Sequence, residues 1–70
     1  MQMHPVNSHT LVSVGYEDGE LRITFKGGRT YSYKGEGVER HYEALISVES
    51  PGTYFHANLK NAPGIEVRRI

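Results

Sequence analysis

The sequence predicts a small α+β domain, a three-stranded antiparallel meander followed by two helices on one of its faces. Three observations predict it. Apolar and polar residues alternate on both sides of Asp18-Gly19, as in half-buried strands joined by a tight hairpin. A second alternating pair flanks Gly27-Gly28. Beyond Val38 the apolar spacing becomes helical, and Ser50-Pro51 opens a second helical segment. The 70 residues make one domain, near the lower limit for a self-sufficient core.

In VSVGYEDGELRITF a two-residue Asp18-Gly19 turn pairs Tyr16 with Leu21, Val14 with Ile23 and Val12 with Phe25. All six apolar side chains then share a face, whereas a three-residue loop would set Val14 opposite Arg22 and mix the faces. In FKGGRTYSY two registers compete. A two-residue Gly27-Gly28 loop puts Tyr31 and Tyr33 on the solvent face with Arg22, Thr24, Lys26 and Arg29, an aromatic-basic platform of the kind single strands stack on. A three-residue Lys26-Gly27-Gly28 loop pairs Ile23 with Tyr31 and Leu21 with Tyr33, with Thr24 facing Thr30 and Arg22 facing Ser32. The second separates apolar from polar residues far better and is the expected register. It assigns both tyrosines to the core, with hydroxyls at its rim.

Val38, Tyr42, Leu45 and Ile46 recur at helical spacing, with Glu39, Arg40 and Glu43 outside. Ser50 is a good N-cap, and Pro51 suits the first helical position, where its missing donor is not needed. Phe55 and Leu59 share a face, and Pro63-Gly64 ends the run. The tail Ile65–Ile70 alternates weakly, which fits a short C-terminal edge strand.

Composition excludes several functions. With eight Lys and Arg against eight Asp and Glu, the formal net charge is zero. A duplex DNA binder needs a basic excess and a DNA mimic an acidic one. There is no cysteine, so disulfides and thiolate metal sites are absent and a cytoplasmic location is expected. No apolar run is long enough to span a bilayer and no signal-peptide pattern opens the chain. The four histidines, His4, His9, His41 and His56, lack metal-ligand spacing. No nucleophile elbow or paired carboxylate stands out. Neither a catalytic residue nor a metal or cofactor is therefore expected.

Two features point to a ligand. Arg22, Lys26, Arg29 and Lys34 cluster around the second hairpin beside Tyr33. Ser50 and Thr53 offer hydroxyls at a helix start, where Gly52 admits close approach. Capping alone also accounts for Ser50 and Pro51.

Val6–Ser8 (VNS), Val14–Tyr16 (VGY), Leu21–Phe25 (LRITF), Tyr31–Tyr33 (YSY) and Ser50–Phe55 (SPGTYF) together resemble the KTSC domain. This small module is named from the C-terminal region of some lysyl-tRNA synthetases and also occurs free-standing in bacteria and phages. The resemblance runs from about Val6 to Leu59. The family usually continues from Tyr-x-Tyr into a Val-Pro that opens the first helix; KGEGVE replaces it here. The synthetase context implies RNA binding.

The expected function is thus a non-catalytic binding module for a nucleotide or short RNA, and a phage-encoded copy would act in the host cytoplasm as a sponge for a signalling nucleotide. The alternative is a protein-interaction module, self-assembling or inhibiting a host protein. A chain this short, without staples, also favours a homo-oligomer.

Overall fold

Five strands form one antiparallel sheet in the order β1-β2-β3-β4-β5. The computed structural model describes residues 1–70. The strands are β1 (His4–Pro5), β2 (Leu11–Glu17), β3 (Glu20–Phe25), β4 (Thr30–Gly35) and β5 (Ile65–Arg69). Between β4 and β5 in the chain lie α1 (Val38–Ser47) and α2 (Pro51–Tyr54), the latter running on as a π-helical turn over Phe55–Leu59. The predicted meander is therefore the centre of a larger sheet. The tail does pair with β4, and β1 is an addition, too short to carry a sequence period.

Asp18 and Gly19 both have positive φ, 51° and 80°, as a two-residue primed turn demands. Tyr16 pairs with Leu21 and Val14 with Ile23. The expected Val12–Phe25 pair does not form. A bulge between Leu11 and Ser13 shifts the register, so that Leu11 pairs with Phe25. One extra residue reverses the alternation, leaving Leu11 fully buried and Val12 42% exposed.

The second hairpin adopts the three-residue loop. Ile23 pairs with Tyr31, Leu21 with Tyr33, Arg22 with Ser32 and Thr24 with Thr30. The two threonine hydroxyls lie 3.0 Å apart on the outer face. Tyr33 is only 4% exposed and belongs to the core with Leu11, Val14, Leu21, Ile23, Val38, Leu45, Phe55 and Leu59. Burial, and secondarily the neighbouring Tyr31, push its phenol up to about 12.

Helix α1 packs on β2, β3 and β4. Val38 and Leu45 are buried, but Ile46, expected on the same face, is 37% exposed. Adjacent residues on a helix are about 100° apart, so Leu45 occupies the contact and Ile46 turns away. In place of the Val-Pro that the resemblance implies, Gly37 precedes α1 in the left-handed conformation, with no side-chain cap. Ser50 caps α2, its Oγ accepting from the Thr53 N–H at 3.4 Å, and Pro51 follows at the first helical position. In the π turn the Lys60 N–H donates to the Phe55 carbonyl at 2.9 Å. No helix is long and apolar enough to cross a membrane.

A single polar contact ties the two helices together, His41 Nδ1 to the Tyr54 hydroxyl at 2.8 Å. Burial, then the nearby Arg40 charge, holds the His41 imidazole below its ordinary value. The fold therefore favours the neutral ring. That contribution is complete above the unfolded-state value, about 6.5, and declines as pH falls towards the depressed folded value. Melting curves of His41→Gln are expected to lose part of the parent's pH dependence below about pH 6.5. An unchanged pH profile would remove His41 from this role.

Candidate ligand-binding site

The loop before β2, the Lys26 turn and the start of α2 meet at one end of the molecule. Ser8 Oγ accepts from the N–H groups of Thr10 and Leu11, at 3.1 and 3.2 Å, and so fixes the loop. The Lys26 N–H donates to the Thr10 carbonyl at 2.9 Å, which holds the hairpin turn beside it. Gly52 closes the third side. A Cβ there would sit 3.2 Å from Ser8 Oγ and 3.4 Å from Thr10 Oγ1, so any larger residue would press on the hydroxyl that fixes the loop.

Between these walls lies an open cleft of about 610 Å³ with no hydrophobic lining residue. Lys26, Ser50 and Thr53 face it, together with Asn7, His9 and His56. Ser50 Oγ donates its proton to Thr53 Oγ1 at 2.8 Å, which leaves the Thr53 hydroxyl proton free for a ligand. Glu49 is the one carboxylate on the rim.

Thr10 and His56 also line a second depression, of about 370 Å³, where the sheet's inner face emerges beyond the helices. Its walls are aromatic: Phe25, Tyr31, Tyr33 and Phe55. Phe25 meets Tyr31 edge-on at 5.7 Å and Phe55 at 5.2 Å, centroid to centroid, which fixes the rings as a rigid wall. Arg29 and Lys60 stand at its rim. Tyr31 is half-buried and Tyr33 nearly enclosed. The tyrosines thus belong to the core and also line the groove.

The structure brings together Lys26, Ser50 and Thr53 in the cleft and Arg29 and Tyr33 in the groove. Arg22 and Lys34 are elsewhere. Alternation along β3 and β4 puts both on the outer face of the sheet, away from the helices. There Arg22 pairs with Glu20 at 2.8 Å, and this contact, aided by Ser32, holds the Glu20 carboxyl below its usual range. The same register that buries the tyrosines removes these two cations from their side. Thr10, His56 and Lys60 line the candidate cleft or groove, and sequence reasoning did not single them out. Only the VNS element, Val6–Ser8, pointed towards that loop. His56 and Lys60 reach the site through the path of the π turn, which leaves no sequence pattern. No group of three or more His, Cys, Asp or Glu side chains converges as a metal site.

Among known proteins, the KTSC domain family matches residues 7–62 of the chain. That range takes in every residue of the polar cleft. The crystal structure of a KTSC domain protein from Yersinia pestis is similar over 99% of this chain and 96% of that one, with TM-score 0.83 and 35% sequence identity. No curated protein matches.

Proposed function

We propose that this chain, which belongs to the KTSC domain family, is a non-catalytic binding module for a nucleotide or the end of a short RNA. The observation that carries the reading is the continuity of two unlike surfaces. The polar cleft and the aromatic groove share Thr10 and His56. A base stacks in the groove against Phe25 and Tyr31, as bases stack on exposed aromatic side chains. Its phosphate reaches Lys26 and the Thr53 hydroxyl in the cleft, while Arg29 and Lys60 flank the groove. Zero net charge suits one or two phosphates better than a long polyanion, whose binding needs many neutralising contacts. Glu49 on the cleft rim disfavours a highly charged ligand in the same way.

Binding without turnover is the property a sponge for a signalling nucleotide requires, and it extends the proposal to a sequestering role. A thermal-shift panel of mono-, di- and cyclic nucleotides and short oligoribonucleotides tests it, since a ligand specific for the folded state raises the melting temperature. At least one member is expected to do so and to be recovered chemically intact. Lys26→Ala and Arg29→Ala should each weaken that ligand roughly tenfold, within the range of hydrogen bonds to charged groups, with little change in stability. Arg22→Ala and Lys34→Ala should leave affinity unchanged. The reverse ranking would move the site to the outer face, and hydrolysis of the ligand would contradict the non-catalytic reading.

A further inference from the structure

Strand β5 ends the sheet with a free edge, and its hydrogen-bonding parity can be read directly. The Ile70 N–H donates to the Thr30 carbonyl at 3.0 Å, and the Glu36 N–H to the Gly64 carbonyl at 3.4 Å. The even-numbered residues of this stretch therefore bond to β4. Alternation turns the N–H and C=O groups of Ile65, Val67 and Arg69 to the open side. Val67 is 49% exposed and Ile70 60%. An unpaired edge of this kind is a template for another strand.

We propose that a second copy of this chain pairs there, β5 against β5, antiparallel and centred on Val67. The sequence IEVRR selects that register. With Val67 opposite Val67, all the free backbone groups of Ile65, Val67 and Arg69 find partners. Glu66 of each protomer then faces Arg68 of the other, two opposite-charge pairs on the outer face. The Arg69 stem lies along Ile65 of the other protomer. Centring the pair one residue earlier would set Glu66 against Glu66, and one residue later Arg68 against Arg68. Centring it on Ile65 or Arg69 would leave most free groups unpaired. The opposite edge of the sheet offers only the two residues of β1, so a head-to-tail pairing has no comparable partner strand. An isologous pair closes instead.

The two-fold axis of this dimer is perpendicular to the sheet. It puts both helical layers on the same side and sets the two aromatic grooves, each walled by Val67, next to one another. Dimerisation does not depend on what those grooves bind.

Sedimentation velocity of the full chain without ligand, over a rising concentration series, tests the proposal. The expected species at high concentration has twice the 7.9 kDa chain mass. Glu66→Arg and Arg68→Glu should each be monomeric, because each homodimer would carry two like-charge contacts. An equimolar mixture of the two should regain the dimer, since every contact then joins opposite charges. Val67→Pro removes one N–H from the free edge without touching the β4 ladder and should also give a folded monomer. A monomeric parent at every concentration, a dimer that survives Val67→Pro, or a mixture that stays monomeric would each overturn the pairing. Capture of a different protein's strand by the monomeric parent would assign the edge to a foreign partner instead.

Discussion

Tyr33→Ala is expected to lower the unfolding free energy by about 3 kcal/mol, as truncation of large core side chains does. The ring is 4% exposed, pairs across the sheet with Leu21 and meets Phe55 edge-on at 6.1 Å. It therefore joins the meander to the helical layer, and alanine leaves a cavity between them. A domain of this length has a total stability of roughly 4–10 kcal/mol, so a large part would vanish. Tyr33→Phe keeps the ring and its contacts and should change stability by less than about 1 kcal/mol. Urea denaturation of both variants checks the pair. A Tyr33→Ala protein as stable as its parent would mean that the ring is not part of the core.

Gly35→Ala is expected to be comparably severe for a different reason. Gly35 has φ 142°, where a side chain is strained whatever the space around it. A Cβ there would also collide with the Gly64 carbonyl oxygen and sit 3.0 Å from the Ile65 Cα. These atoms are backbone, so the neighbour cannot rotate away. The junction of β4 with β5 has to open, at a loss of about 2–3 kcal/mol. Hydrogen exchange should register it first at the amides of Glu66, Arg68 and Ile70, which face β4, while the β2–β3 ladder keeps its protection. Uniform protection across the sheet would contradict this account of Gly35.

The first hairpin's turn was legible because turn chemistry and side-chain alternation agree there; at the second, Gly27-Gly28 admits two loops and alternation alone selects the observed register. At Leu11-Val12 it does not. Both residues are apolar, alternation cannot choose between them, and the bulge decides for Leu11. The two residues of β1 carry no period at all. Ile46 was misplaced because it adjoins Leu45 in the apolar stripe: the two point about 100° apart on the helix, and only the Leu45 direction is buried. Of the residues lining the candidate cleft and groove, Lys26, Arg29, Ser50 and Thr53 were singled out in the sequence as residue types at turns and caps. Arg22 and Lys34 were grouped with them by proximity along the chain, although the favoured register already placed them on the other face. The cleft itself was not legible. It depends on Ser8, Thr10 and Gly52 meeting across more than forty residues of chain.

Amide chemical shifts followed by NMR during titration with the nucleotide that raises the melting temperature test the central claim most directly. Continuous binding across groove and cleft predicts shifts at Thr10, Lys26, Arg29, Tyr31, Thr53 and His56, with Arg22, Ser32 and Lys34 unmoved. Shifts confined to the outer face, or none anywhere at saturating ligand, would contradict it.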